Sequence, residues 1–349
     1  MKESRFNSLG GAFCLAIVVA LPFFSKSDFV LNLATLVMVW AIFAVGFDLV
    51  FGALGMVSFG HATFLGLGGY ALAILTQRYG LPYSAGLAAA VALGALGAWL
   101  MSFFALRVSG IFFALVTLAL SQLLFILADS KLRTLTGGAD GIPGVARPDA
   151  FGIDFFSSLN FYVFVAAIFA LVMVGVALLR ASPFGRVING IRQNEIRCEQ
   201  LGCDVQRLRQ LTFVVSGAVG GLAGALLASL LLFVNPQMLH WTTSGDVIIM
   251  TLLGGAGTLW GPVVGVLVFE VLKEWMSSKT QYWYGILGLV FIIATIYFPR
   301  GIVGELQRLV RQRPTREAST VDPGQTTPPA TPPTTPSMTC PAPGGSPKP

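Results

Sequence analysis

The chain has 349 residues, of which 55% are hydrophobic and 11% are charged, and its formal net charge is +6 at pH 7. Soluble domains carry about a quarter charged residues, so this composition excludes an ordinary soluble enzyme. It argues against an outer-membrane barrel, whose strands alternate apolar and polar residues. It also argues against a nucleic-acid-binding protein, because basic cytoplasmic loops explain the positive charge of a membrane protein.

Nearly continuous apolar runs follow one another along the chain, and a run of about 20 residues at ~1.5 Å per residue crosses a ~30 Å hydrocarbon core. The runs cover residues 11–25, 29–51, 56–76, 84–106, 109–129, 159–180, 211–233, 246–272 and 282–299. No small-residue cleavage site follows the first run, so we interpret it as a span and not as a signal peptide. The pattern predicts an all-α polytopic membrane protein with about eight to ten transmembrane helices.

Asp48 and His61 are the first chemically informative residues along the spans. Asp48 lies near the end of its run and is interpreted as a boundary residue. His61 lies in a Gly-rich stretch, residues 52–70. Two interpretations of His61 stay open, namely a hydrogen bond between helices or a position that lines or gates a solute path.

Residues 135–144, LTGGADGIPG, fall in a predicted loop on the outer side of the membrane. Their Gly and Pro residues are typical of turns. The loop is interpreted either as a simple connection between spans or as a docking surface for an external partner.

A long basic segment, residues 181–210, predicts the orientation of the chain. Its arginines are Arg180, at its edge, and Arg186, Arg192, Arg197, Arg207 and Arg209. Cytoplasmic loops are enriched in Lys and Arg, so we place the segment in the cytoplasm, and counting six spans back places the N-terminus there as well. The arginines that follow Pro299 predict a cytoplasmic C-terminus.

The same basic segment has a pattern of its own. Ser182 and Pro183 are typical of a helix start, and the apolar spacing predicts a short helix that stops at Gly202 before a second, basic helix. One interpretation is a basic loop attracted to anionic membrane lipid. The length of the segment favours the other, a structured hairpin that docks into another protein.

A cytoplasmic C-terminus requires an even number of crossings after Arg209, whereas the runs give three. Residues 254–265, GGAGTLWGPVVG, contain five glycines and Pro262. Gly and Pro weaken a continuous helix, and irregular backbone persists in a membrane only where protein or water surrounds it. We predict a broken or re-entrant element near 246–272, which either crosses twice or enters and leaves on one side.

Two further patterns predict helix contacts. Ser216, Gly220 and Gly224 recur every four residues, which favours close packing of two helices. Glu270 and Lys273, three residues apart at the end of a run, are expected to pair on one helix. The charged residues form no chain that could relay protons, which argues against a proton-driven transporter.

Motifs of enzymes and metal sites are absent from the sequence. There is no Walker A, GxSxG or HExxH motif, and Cys14, Cys198, Cys203 and Cys340 lack zinc or redox spacing. We therefore expect no enzyme activity, metal or cofactor in this chain. Residues 1–313 are predicted to form the transmembrane domain, and residues 314–349, with 11 of the 19 prolines, a disordered Pro/Thr-rich tail.

Four motifs together resemble the LivM-type permease subunit of bacterial branched-chain amino acid ABC importers. They are SFGHATFLGLGGY (58–70), LTGGADG (135–141), SPFGRVINGIRQNEIRCEQLGCDV (182–205) and GGAGTLWGPVVG (254–265), and the resemblance covers roughly 30–305. It implies a multi-pass protein of the bacterial inner membrane. The tail departs from the family's pattern.

The resemblance also implies partners and sites. A second, LivH-like permease would share the path for branched-chain amino acids or a related urea-like solute, two cytoplasmic ATPase subunits would use the ATP, and a periplasmic solute-binding protein would deliver the solute. Contacts with the ATPase are implied for Asn194, Glu195, Arg197, Glu199, Gly202 and Asp204. The implied path contains Ser58, Gly60, His61, Gly254, Gly255, Gly257 and Thr258. The implied docking loop contains Thr136, Gly137, Gly138, Asp140 and Gly141.

Two other functions stay open at the level of the sequence. A stand-alone, ion-coupled secondary transporter could bind its ion through backbone carbonyls and would need no charged relay. A non-transporting membrane scaffold is the third hypothesis, and it leaves the broken Gly-rich elements without a purpose. The sequence does not specify which solute is carried.

Overall fold

The computed structural model describes residues 27–145, 147–150, 153–155, 157–297 and 301–305. The first predicted span at 11–25 and the predicted tail at 314–349 lie outside these ranges, as do Cys14 and Cys340.

The described chain is built almost entirely from helices. In chain order they are α1 (Asp28–Asp48), α2 (His61–Gln77), α3 (Tyr83–Ala105), α4 (Ile111–Ile126), α5 (Arg133–Thr136), α6 (Ser158–Ala181), α7 (Pro183–Gln193), α8 (Glu195–Gln200), α9 (Val205–Leu231), α10 (Trp241–Gly254), α11 (Gly261–Ser277) and α12 (Trp283–Tyr297). A π-helical turn extends α1 through Leu49–Ala53 and another extends α4 through Leu127–Lys131. Residues 301–305 are also helical.

Four very short strands complete the secondary structure. β1 (Ile142–Pro143) pairs antiparallel with β4 (Phe233–Val234), and β2 (Asp149–Ala150) pairs antiparallel with β3 (Ile153–Asp154). The first pair ties the loop after α4 to the end of α9.

Five of the described helices are long and apolar enough to cross a membrane. They are α1 and α4 with their π-helical turns, α3, α6 and α9. In the most apolar stretch of α1 and of α9, 61% of the residues are buried, whereas in that of α4 and of α6 only 28% of the residues are buried. Thus α1 and α9 form the centre of an all-α polytopic membrane protein, as the sequence predicts, and the outer helices expose apolar faces.

Small residues on α9 allow two neighbours to approach closely. Gly224 faces α2, where an added Cβ would collide with the carbonyl group of Leu65. Gly221 faces α3, and an added Cβ would lie 3.1 Å from the Cα of Gly94. The predicted stripe of small residues therefore packs against α2, and a second small face, which the sequence analysis missed, packs against α3.

Two breaks interrupt the membrane helices. The first is residues 54–60, so α2 begins at His61 and not at the start of the apolar run near residue 56. The second is residues 255–260, which join α10 to α11. This second break confirms the predicted broken element near 246–272.

Helices α10 and α11 form an antiparallel hairpin around the second break. A Cβ added to Gly254 would collide with the Gly261 carbonyl oxygen, and a Cβ added to Gly265 would collide with the Met250 carbonyl oxygen. The end of α10 therefore lies beside the start of α11, and earlier residues of α10 lie beside later residues of α11. Gly301 in turn lies against Gly255. Four helices, α9 to α12, therefore follow the basic segment, and the even number of crossings stays a prediction.

Candidate functional site

The basic segment folds as two short helices, α7 and α8, before α9. The Ser182 hydroxyl accepts a hydrogen bond from the Gly185 N–H at 3.3 Å and caps α7. The Asn194 side chain accepts from the Arg197 N–H at 3.0 Å and caps α8. Gly202 ends α8 with a φ of 84°. The sequence analysis predicted the start at Ser182 and the stop at Gly202 but missed the break at Asn194.

Two acidic residues of the basic segment form ion pairs with arginines at the start of α9. The Glu195 carboxylate lies 2.6 Å from the Arg209 guanidinium at the start of α9. The Asp204 carboxylate caps α9 and lies 2.8 Å from the Arg207 guanidinium. Two of the three acidic residues of the implied ATPase contact, Glu195 and Asp204, therefore have partners within the segment. Five members of that set are exposed, namely Asn194, Arg197, Glu199, Gly202 and Asp204.

Two large apolar side chains of the basic segment are exposed. Ile196 in α8 is 68% exposed and Leu201 just after it is 77% exposed. Ile188 and Ile191 of α7, by contrast, are buried together with Leu54 in a small apolar cluster. The sequence analysis missed Ile196 and Leu201 because it considered the charged residues of this segment. The two residues do not continue the spacing of the buried Ile188 and Ile191, and this difference could have indicated that they are exposed.

The first break buries the implied path residues Ser58, Gly60 and His61. The Phe59 N–H donates to the Thr117 hydroxyl of α4 at 3.1 Å. An added Cβ on Gly60 would lie 2.8 Å from the Thr117 carbonyl oxygen. The break is therefore fixed against α4 with no room for a larger residue.

His61 makes a hydrogen bond between helices. Its Nε2 lies 2.9 Å from the Ser216 hydroxyl of α9. That hydroxyl donates to the Gly46 carbonyl oxygen of α1 at 2.7 Å, so the His61 Nε2–H is the donor to Ser216. Phe47 and Phe213 contact the imidazole ring edge to face. This geometry is that of the packing interpretation, and a role of His61 in a solute path stays a prediction.

The second break holds the other implied path residues, Gly254, Gly255, Gly257 and Thr258. The Thr258 hydroxyl donates to the Gly255 carbonyl oxygen at 2.9 Å and accepts from the Gly261 N–H at 2.9 Å. Thr258 therefore stabilises the turn and the start of α11. Gly257 has a φ of 83°, a backbone conformation that favours glycine.

Asp48 is the last residue of α1, at the end of its apolar run, and it connects the second break to two helices. Its carboxylate is fully buried, and one oxygen lies 2.6 Å from the Arg180 guanidinium at the end of α6. The other oxygen accepts a hydrogen bond from the Gly257 N–H at 2.9 Å. A buried carboxylate requires such partners, because burying an unpaired charge costs several kcal/mol.

The predicted pair on α11 is confirmed by the Lys273 ammonium, which lies 3.3 Å from the Glu270 carboxylate. Among the described residues, no group of three or more His, Cys, Asp or Glu side chains is arranged to hold a metal ion.

The predicted docking loop is a compact turn. Thr136 is buried and donates to the Ala128 carbonyl oxygen at 2.6 Å. The three glycines of the predicted set have φ angles between 60° and 79°. Asp140 is exposed and forms a 3.7 Å ion pair with exposed Arg133. Asp140 is thus the side chain of the set that is placed to reach a partner.

Comparison with known proteins places the chain in a family. The model of the family described as "Branched-chain amino acid transport system / permease component" matches residues 29–295. The chain belongs to this family of permeases. The family and the apolar helices together show a multi-pass inner-membrane permease of LivM type.

Relatives of this permease include proteins named LivM and proteins named LivH. It is 29% identical to the high-affinity branched-chain amino acid transport system permease protein LivM of Escherichia coli, over 83% of this chain and 73% of that protein. It is 30% identical to the LivM of Salmonella typhimurium over the same shares. It is 25% identical to the LivH of Salmonella typhimurium, over 78% of this chain and 94% of that protein. No solved structure gives a significant match.

Proposed function

We propose that this permease forms, with a second LivH-like permease, the membrane path of an ABC importer for branched-chain amino acids or a related urea-like solute. Two cytoplasmic ATPase subunits hydrolyse the ATP, a periplasmic solute-binding protein delivers the solute, and this chain binds no cofactor. The family match and the similarity to both LivM and LivH support the permease pair.

The exposed apolar side chains of α8 carry the proposed contact with the ATPase. Ile196 and Leu201 project from a segment with six basic residues, which the positive-inside rule assigns to the cytoplasm. Large exposed apolar groups on such a structured segment are typical of a protein contact. On this proposal α8 enters a cleft of the ATPase, Arg197 and Glu199 lie at its rim, and both chain termini are cytoplasmic.

This orientation places the predicted docking loop on the outer side of the membrane and the predicted solute path between the two sides. Thr136 and the glycines shape the outer loop, and Asp140 contacts the solute-binding protein. The backbone at the two breaks, with Ser58, His61 and Thr258, lines the path that opens alternately to the two sides. A solute handed over by a binding protein needs little affinity in the membrane, which agrees with a bundle that uses its polar groups for helix contacts.

Co-purification tests the proposed contact. The chain is co-expressed with the second permease and the two ATPases, and the complex is isolated in detergent. Ile196→Asp places a charge in the apolar contact, so we expect the ATPases to be lost while the second permease is retained. Gln200→Asp, which introduces the same charge at another exposed position of α8, is the matched control.

Two results would contradict the proposal. ATPases that co-purify equally well with Ile196→Asp would remove α8 from the contact. Leucine uptake by this chain alone in liposomes under a sodium gradient would instead support a secondary transporter.

Gly202 offers a second test, because its left-handed φ is required by the turn while an added Cβ would meet nothing within 4 Å. Gly202→Val strains the backbone, whereas Gly202→Asn tolerates a left-handed conformation. We expect uptake to fall about 10-fold in the valine variant and to change less than about two-fold in the asparagine variant, since strain of ~1–2 kcal/mol shifts the turn. Equal uptake in both variants would remove the turn from the proposed mechanism.

A further inference from the structure

Asp48, Arg180 and Gly257, here called the junction, join three separate parts of the chain. The Asp48 carboxylate lies at the end of α1, Arg180 lies in the last turn of α6 directly before the basic segment, and Gly257 lies in the second break. Besides its ion pair with Asp48, the Arg180 guanidinium donates to the Gly257 carbonyl oxygen at 3.2 Å. Both polar groups of the Gly257 residue are therefore bound by the junction.

Arg192 attaches the far end of α7 to the same place. Its guanidinium donates to the carbonyl oxygen of Gly52, in the π-helical turn that follows Asp48. The same guanidinium would lie 3.0 Å from a Cβ added to Gly257. Arg180 at the end of α6 and Arg192 in the last turn of α7 therefore both contact the end of α1 and the second break.

A small cavity lies beside the junction. It is lined by residues of α6, α7, the π-helical turn and the second break, among them Leu49, Arg180, Asn189 and Gly257. Its volume of about 40 Å³ exceeds what one water molecule requires. Side chains therefore do not completely fill the space between α7 and the second break.

A buried ion pair contributes little net stability, because desolvation offsets most of the attraction. Its geometry is nevertheless strongly specified, since the planar Arg180 guanidinium binds the Asp48 carboxylate and the Gly257 carbonyl together. Any movement of α7 that displaces Arg180 must break these contacts or carry the second break with it. This is a mechanical connection and not a binding site.

We propose that the junction is a positioning element that transmits movement of the basic segment to the second break. The proposal rests on the proposed function, in which an ATPase moves that segment. Asp48 and Arg180 contact neither ATP nor solute, and they act by fixing where the 255–260 backbone lies relative to α1 and α6.

The test uses the complete complex of this chain, the second permease and the two ATPases in liposomes, with the binding protein and leucine. The quantity measured is leucine transported per ATP hydrolysed, which does not depend on the amount of folded complex. Asp48→Asn/Arg180→Met removes both charges together, so no buried charge is left unpaired, and it keeps an oxygen for the Gly257 N–H. We expect this ratio to fall about 10-fold while ATP hydrolysis continues.

The matched control is Glu270→Gln/Lys273→Met, which removes an ion pair between two residues of α11. Asp246 of α10 also lies near these charges, whereas the junction is formed by Asp48, Arg180 and Gly257. We expect the ratio of transport to hydrolysis to stay within about two-fold of the unmodified complex.

A second variant keeps the test decisive if the double variant does not assemble. Arg180→Lys retains the charge for Asp48, but an ammonium group lacks the planar fork that binds Asp48 and Gly257 together. We expect a fall of about three-fold in the ratio. An unchanged ratio, or uptake and hydrolysis that fall in proportion, would overturn the junction's role. An unmodified chain that fails to bind the ATPases would instead overturn the proposed function itself.

Discussion

The two breaks in the membrane helices are both rich in glycine, but they are held in opposite ways. In the first break, the Phe59 N–H donates a neutral hydrogen bond to the Thr117 hydroxyl of α4, and Gly60 packs closely against Thr117 and against Met101 of α3. Residues 255–260 are held by the charged pair of Asp48 and Arg180 beside a cavity. Glycine at the first break allows close packing, whereas at the second it leaves backbone groups accessible to charged side chains.

The largest expected effect is on the first break. Gly60→Val would place a branched side chain where even a Cβ lies 2.8 Å from Met101 and from the Thr117 carbonyl oxygen. We expect a loss of about 3 kcal/mol of stability, measured by thermal unfolding in detergent. Gly175→Ala is the control, because a Cβ there meets nothing within 4 Å. A Gly60→Val protein as stable as the unmodified protein would show that the first break can change its position, as is proposed for the second break.

A smaller effect is expected at the hydrogen bond between α2 and α9. Ser216→Ala removes the partner of His61 Nε2 and leaves the Gly46 carbonyl oxygen without its hydroxyl donor. The expected cost is about 1 kcal/mol, with leucine uptake per folded complex unchanged. Ser277→Ala, which removes an exposed hydroxyl, should be neutral. If Ser216→Ala changes the KM for uptake at full stability, the first break belongs to the solute path.

The smallest expected effect is at the turn of the second break. Thr258→Ala removes the hydroxyl that binds the Gly255 carbonyl oxygen and the Gly261 N–H. We expect a loss of about 0.5–1 kcal/mol, as for other helix caps, and full recovery in Thr258→Ser. A loss as large as that of Gly60→Val would mean that the second break is as rigid as the first.

Local sequence patterns predicted the features that depend on neighbours in the chain. The break at 254–265, the pairing of Glu270 with Lys273 and the helix start at Ser182 each follow from residues within a few positions of one another. The cap at Asn194 could also have been predicted from the local sequence, because Asn is favoured at helix starts. The regular apolar spacing instead suggested one continuous helix up to Gly202.

Contacts between distant residues could not be predicted in this way. Asp48 and Arg180 are 132 positions apart, and His61 and Ser216 are 155 apart. Whether a charged residue near the end of a span faces water or a buried partner depends on how the helices assemble. The spacing of apolar residues along one helix does not contain this information. The sequence analysis therefore placed Asp48 near the end of its span, where α1 ends, but did not predict that its carboxylate is buried against Arg180.

The hairpin of α10 and α11 is short for a membrane. Its helices have 14 and 17 residues, or about 21 and 26 Å at ~1.5 Å per residue, against a hydrocarbon core of ~30 Å. Leu252, Leu267 and Val271 are exposed on it. A hairpin of this length crosses the bilayer only where the bilayer is locally thinner, at a cost of a fraction of a kcal/mol per Å. For a hairpin that crosses, we therefore expect bilayer thickness to affect the helices that carry the second break.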